Sequence, residues 1–446
     1  MSITPSVGIK KLLPVSLAAS IACLLTACSG HEETTVTTNH ADSTLAQVSM
    51  AQETGDTAMT FSPRLEEPRI PPLPVEGRTP EQIEMLNNRP DFNLYKTLAH
   101  HVELYDRWTP LGRVLLNAST LPARDREIIM LRMGWLCQAE YEWSQHARIA
   151  TNDVGMSYEE ILKIASDPNA ESWTDFEKTL MDMVDELRYD GMVSDATWQK
   201  LSVNYSQQEI IDAIFTAAQY QLVSMVLNST GIQLDPVLEH TLPTEFEMPA
   251  LATTIGNVRL STPRLKPLTL EEMTDEQRDI IKPHVREDGS IPNIYATMIH
   301  HPALFGPRYT FGSYIMSQTS LPPQARELLI MRTGWLLNAE YEWAHHEPIA
   351  KAAGLSDEDI TRIALGPNAS GWSDEHRAVL NAADDLRREA FITDDTFSQL
   401  TKFYNTQQIM ELVFTVGGYS MTAFAINSLG IQVEEGYPRF PSIKEG

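Results

Sequence analysis

Basic residues are scarce. Lys and Arg number 34 against 60 Asp and Glu, a formal net charge of −26 at pH 7. Phosphate backbones recruit cationic surfaces, so this balance sets nucleic acid aside as a partner and disfavours direct docking on anionic lipid. Cysteine is scarcer still, at 3 in 446 residues. Cys23 and Cys28 lie close to the N-terminus and only Cys137 falls in the body of the chain. A disulfide framework is therefore excluded there, and packing must supply the stability. Runs with strand alternation are few. After the apolar run Leu12 to Leu25, no later segment reads as long enough to span a membrane.

What the chain has instead is a repeat. L-P-A-R-D-R-E-I-I-M-L-R-M-G-W-L-C-Q-A-E-Y-E-W-S-Q-H-A-R-I-A, from Leu121 to Ala150, returns as L-P-P-Q-A-R-E-L-L-I-M-R-T-G-W-L-L-N-A-E-Y-E-W-A-H-H-E-P-I-A, from Leu321 to Ala350. Identity falls on 16 of these 30 positions. The match extends from S-P-R-L at Ser62 and T-P-R-L at Thr262 to N-S-T-G-I-Q at Asn228 and N-S-L-G-I-Q at Asn427, with one extra residue in the first copy before Gly155. This reads as a tandem duplication with repeat 1 over 62–234, a Pro- and Thr-containing linker over 235–259, repeat 2 over 260–435 and a tail over 436–446. Each repeat has the length of a domain able to bury its own core.

Within each repeat, apolar residues recur at i, i+3, i+4 and i+7, as in F-E-K-T-L-M-D-M-V-D-E-L and Q-E-I-I-D-A-I-F-T-A-A-Q-Y-Q-L-V. Helix starts are signalled at Ser157 with Glu160, Thr174 with Glu177 and Ser373 with Asp374. The expected fold class is all-α, with two similar helical domains.

Residues 1–27 place Lys10 and Lys11 before the apolar run and end in Leu25-Thr26-Ala27-Cys28. This resembles a bacterial lipoprotein signal peptide, which implies cleavage before Cys28, lipidation of its thiol and, with Ser29 following, an outer-membrane address facing the periplasm. Residues 28–61 are rich in Ser, Thr, Glu, Gln and Ala. Such composition cannot offset the entropy of ordering; it reads as a flexible tether of roughly 30 Å r.m.s. span. The only membrane association expected is through this anchor.

Polar residues kept in both copies of an apolar helical block call for a reason. Those in the block are Glu127, Glu142 and His146, and again Glu327, Glu342 and His346. Glu142 and His146 are four apart and share a helix face, and Glu127 can fold back onto that face. A carboxylate beside an imidazole in an apolar wall makes a general acid–base pair; it also makes a purely structural one. Tyr141 and Tyr341 flank the pair as candidate hydrogen-bond donors to substrate. Arg132 and Arg332 are candidates for holding a substrate carboxylate, with a structural bridge to a nearby Glu as the preferred alternative. His100, His101, His300 and His301 follow a shared N-x-Y-x-T pattern and read as helix-end residues. The spacing is not that of a zinc protease, and neither a metal nor a cofactor is expected.

The run R-E, then A-E-Y-E-W-x-x-H, x-x-I-A and G-L-S-x-E-x-I at Gly354 resembles the carboxymuconolactone decarboxylase family, whose relative alkylhydroperoxidase D shares the fold. The resemblance implies compact helical domains assembling as trimers or hexamers, here a homotrimer of two-repeat chains. It also implies two branches of chemistry. The peroxidase branch carries Glu, Cys-x-x-Cys and His. The Glu and His positions are Glu127 with His146 and Glu327 with His346, but the cysteine positions hold Ala139, Glu142, Ala339 and Glu342. Thiol chemistry needs a thiolate, so antioxidant peroxidase activity is disfavoured. The decarboxylase branch removes CO2 from a carboxylated lactone and reprotonates the dienolate. The histidines would then be the acid, tuned by Glu142 and Glu342, acting on a small unsaturated carboxylic acid or lactone. An exported location makes the family's own cytosolic substrate unexpected. A non-catalytic binding or assembly lipoprotein is the remaining alternative.

Overall fold

The computed structural model describes residues 65–246, 248 and 259–442. The signal peptide, Cys28 and the tether lie outside them. Every regular element among the described residues is helical. Repeat 1 is built on α1 (Val102–Asn117), α2 (Ala123–Leu136), α3 (Glu140–Ile149), α4 (Asp175–Asp190) and α5 (Gln207–Thr230). Repeat 2 follows with α6 (Pro302–Ser317), α7 (Pro323–Leu336), α8 (Glu340–Ala352), α9 (Asp374–Glu389) and α10 (Thr406–Leu429). The fold is all-α, with the same helical packing used twice.

Local chemistry sets the helix ends. Thr174 accepts from Glu177 N while the Glu177 carboxylate accepts from Thr174 N, a reciprocal cap that satisfies two orphan donors. Ser157 with Glu160 does the same, and Ser373 caps α9. The long helices α5 and α10 each close on a glycine in the left-handed region, Gly231 at φ 73 and Gly430 at φ 71.

The expectation that no later segment could span a membrane needs correcting. By length and composition α5 and α10 both qualify, with a mean hydropathy of 1.5 over an 18-residue window. Those windows are 100% and 94% buried inside the protein, because the two helices pack on each other at its centre. A Cβ added at Gly417 would come 2.6 Å from Leu222 Cγ, so glycine is what allows the close crossing. By the same packing the apolar stretch Ile210 to Val226 is buried within the chain and is not available to another one.

Contacts around this crossing are reciprocal. Arg188 donates to Arg387 O and Arg388 O, and Arg387 donates back to Arg188 O and Tyr189 O. Val193 N donates to Ser428 Oγ, and Ile392 N to Ser229 Oγ. His101 pairs with Glu411 at 3.0 Å, and His301 with Asp212 at 2.9 Å. Each of these histidines also caps its own helix, accepting from Leu104 N or Leu304 N. One chain thus reproduces the self-complementary interface of a twofold dimer.

Residues 235–246, read from sequence as linker, pack against repeat 1. Asp235 accepts from Asn93 N and from Tyr141 Oη, Trp135 Nε1 donates to Pro243 O, and Leu238 and Leu242 are buried. The tail behaves alike, with Phe440 edge-on to Trp335 and packed against Trp343.

Candidate active site

The chain reverses between α2 and α3 at Gln138, φ 52, and between α7 and α8 at Asn338, φ 51. A non-glycine residue holds this left-handed conformation only where neighbours fix it. Here Ala139 N and Ala339 N bond back to Gly134 O and Gly334 O. Those glycines serve a second purpose. A Cβ at Gly134 would lie 3.3 Å from Glu142 Cγ, and one at Gly334 would lie 3.4 Å from Glu342 Oε1. Their bareness lets α3 and α8 fold tightly back, and the carboxylates and imidazoles meet.

In repeat 1, His146 is held from both sides. Its Nδ1 lies 2.7 Å from Glu127 Oε2 and its Nε2 3.2 Å from Glu142 Oε1. All of these side chains are buried, Glu127 completely. Tyr220 of α5 stands edge-on to the imidazole at 4.8 Å between ring centroids. Burial pulls the His146 pKa down, but the Glu127 and Glu142 carboxylates outweigh it and carry it up to about 10. His146 is therefore an imidazolium at neutral pH. Burial, helped by Glu142 and Glu127, pushes the Tyr220 phenol well above its usual range.

This gives a pH dependence with a definite sign. A folded pKa above the unfolded value of about 6.5 means stability fully present below that value and lost as pH climbs through about 10. Urea midpoints measured from pH 6 to 10.5 should fall on the alkaline side, and less steeply in His146→Gln. Parallel profiles would refute the assignment.

Repeat 2 repeats half of this. His346 Nδ1 lies 2.8 Å from Glu327 Oε2, Arg326 Nε donates to Glu327 Oε1 at 3.3 Å, and Tyr419 stands edge-on at 5.0 Å. Glu342 does not reach the imidazole. Both its carboxyl oxygens are buried without a hydrogen-bond partner, and no group among the described residues engages His346 Nε2. Burial raises the Glu342 pKa well above the carboxylate range, opposed by the Arg308 charge. Burial thus favours the protonated form of Glu342.

The other expected site residues are engaged elsewhere. Arg132 donates to both oxygens of Asp185 at 2.7 Å each and to Ile164 O at 2.6 Å. Arg332 donates likewise to Asp384, at 2.6 and 2.9 Å. These guanidiniums tie helices together and are not left for a substrate, which corrects the expectation of a carboxylate clamp. Tyr141 Oη donates to Asp235 at 2.6 Å, and Tyr341 Oη to Glu434 Oε1 at 3.1 Å. Neither meets His146 or His346, Tyr341 stacking instead on His345 at 4.3 Å; the phenol rings that meet those two imidazoles are Tyr220 and Tyr419. Their signal was in the sequence, as the final residue of F-T-A-A-Q-Y and F-T-V-G-G-Y. Two surface clefts of about 530 and 460 Å3, around Arg278 and around Glu103, border neither Glu–His set.

Residues 103–168 and 302–385 match the carboxymuconolactone decarboxylase family. The two matched segments fall one in each repeat. Both matched segments contain the Glu–His set of their repeat. A solved structure from Agrobacterium tumefaciens, of a protein of unknown function described as a candidate antioxidant defence protein AhpD, is 17% identical over 30% of this chain and 93% of its own, at a TM-score of 0.29. A likeness at that level supports no inference. No curated protein matches the chain.

Proposed function

We propose that the protein is an enzyme of proton transfer acting on a small unsaturated carboxylic acid or lactone, in the manner of a carboxy-lyase. The observation that carries this reading is the buried Glu327–His346 pair, oriented through Nδ1 at 2.8 Å with Nε2 left unengaged beside an unpartnered Glu342. Loss of CO2 from a carboxylated carbon leaves the electron pair of the broken C–C bond as a dienolate. His346, held by Glu327, donates through Nε2 to the developing oxyanion, and the neutral Glu342 supplies the proton that quenches carbon. The apolar helices around them exclude competing water.

In repeat 1 a different observation favours a structural task. Both nitrogens of His146 face carboxylates, so a substrate would have to displace Glu142. The test is proton exchange. Unsaturated acids and lactones incubated with the protein in D2O should gain deuterium beside the carboxyl or carbonyl group, read by NMR, and evolve CO2 where a labile carboxylate is present. No exchange with any such compound would remove the reading.

A thiol peroxidase is not supported. Cys137 is buried and its counterpart is Leu337. Cys137→Ser should leave the proton-exchange rate unchanged, and peroxide consumption coupled to dithiol oxidation should stay at background. Loss of activity in that variant would revive the peroxidase reading.

The lipid anchor at Cys28 and the trimeric assembly belong to the same proposal. They rest on the sequence Leu25-Thr26-Ala27-Cys28 and on the internal pseudo-dimer, of which a trimer of chains would present a pseudo-hexamer. Mass spectrometry of the native N-terminus should find acylated Cys28, and light scattering of the detergent-free 62–446 fragment should give a trimer. An unmodified N-terminus elsewhere refutes the first; a stable monomer at micromolar concentration refutes the second.

A further inference from the structure

One cation in repeat 2 stands where repeat 1 has none. By position in the repeat, Arg308 on α6 pairs with Trp108 on α1. Trp108 is buried and its indole N–H donates to Gln219 Oε1 at 3.2 Å, which closes that corner of repeat 1. Gln219 in turn pairs with Gly418, so repeat 2 loses the amide as well as the indole.

Arg308 is half-buried and donates through Nη2 to Thr422 Oγ1 at 3.0 Å. Among the described residues no carboxylate forms an ion pair with it, and this single neutral partner leaves most of its five donors unused. Thr422 lies three residues beyond Tyr419 on α10, so the two side chains share one face of that helix about a turn apart. Tyr419 is the ring that meets His346. The guanidinium is thereby anchored next to the Glu–His set, and its charge acts on Glu342, Tyr295, Tyr341 and Tyr419.

Two uncompensated features thus lie within electrostatic reach of each other. Glu342 is 2% exposed with neither oxygen hydrogen-bonded, a state that costs a buried polar group about 1–3 kcal/mol. Arg308 is a partly desolvated cation without an ion-pair partner among the described residues, which is costlier than a paired one. Arg132 and Arg332, by contrast, each find both oxygens of an aspartate. An anion bound between Arg308 and Glu342 would relieve both.

We propose that repeat 2 binds a small monocarboxylate at Arg308, and that Arg308 decides the difference in ligand charge between the two repeats. A single charge fits because Arg308 is the one unpaired cation of this corner among the described residues, and Glu327, behind His346, would repel a second anionic group. Glu342, in its protonated form, would donate to the ligand's second oxygen. The proposal deepens the proton-transfer reading and rests on it for the choice of unsaturated acids; the binding itself does not require turnover.

The experiment is isothermal titration of the full folded chain with crotonate, sorbate and benzoate, each against its amide. The expected result is a single site per chain that prefers the carboxylate. Arg308→Gln should weaken it about 10- to 100-fold, the range of a charge-assisted pair. Arg308→Lys keeps the charge but loses the planar fork, so it should retain part of the affinity; it carries the test if the glutamine variant fails to fold. Equal binding of acid and amide, no binding of any of the acids, two equivalent sites per chain, or an Arg308→Gln protein that binds like wild type would each overturn the proposal. Carboxylate binding lost with Arg308 but no deuterium exchange would leave this site standing and remove the enzyme reading. Exchange on a neutral lactone with no preference for acids would do the reverse.

Discussion

Replacing His146 and His346 together with alanine should reduce deuterium exchange and turnover by about 10²–10⁴-fold, the contribution of a positioned acid or base, in a chain that still folds. The single changes should differ. His346 has Nε2 unengaged among the described residues and near it Glu342, whose protonated form burial favours, whereas His146 is enclosed by Glu127 and Glu142. His346→Ala should therefore account for most of the loss. His146→Ala should register mainly in stability, because it leaves Glu127 buried without its partner. Rates from NMR and folding from circular dichroism check both. A folded double variant with full activity would show these histidines to be packing residues, and the binding or assembly reading would take over.

Arg132→Ala should destabilise the fold without touching substrate affinity. The substitution removes a two-pronged pair to Asp185, a bond to Ile164 O and a stacking contact 4.9 Å over Trp135. Breaking a buried pair costs about 3–5 kcal/mol. The lower end applies here, because Asp185 keeps 28% side-chain exposure and can be solvated when its partner goes. The denaturant midpoint should drop while KM of the folded protein stays constant. A raised KM with an unchanged midpoint would instead make Arg132 the substrate clamp that its sequence position suggested.

The reciprocal contacts between repeats bear on how such variants should be read. His101 with Glu411 and His301 with Asp212 join opposite halves, so the repeats are expected to unfold together. Stability changes in one will register in the other, whereas ligand binding at Arg308 is local to repeat 2.

Some of this was determined by the sequence alone. The repeat is a fact of residue order. The helical class follows from apolar spacing, and the capping pairs Ser157 with Glu160 and Thr174 with Glu177 follow from interactions that span three residues. Glu142 and His146 share a face because four residues make about one helical turn. Each of these depends on short-range geometry that any helix enforces. What lay beyond reach depends on partners distant in the chain. Arg132 meets Asp185 53 residues on, so its charge looked available when it was spent. Hydropathy cannot tell a helix buried in protein from one buried in lipid, and only the crossing of α5 with α10 decided between them. Arg308 gave no signal through the repeat, since Trp108 occupies the matching place. Its role emerged from what surrounds it after folding: a lone hydroxyl on Thr422, an unpartnered Glu342 and no counter-ion among the described residues. Local periodicity specifies elements and faces; the pairing of buried charges is settled by tertiary packing, because desolvation penalises every charge and only the folded neighbourhood determines which are compensated.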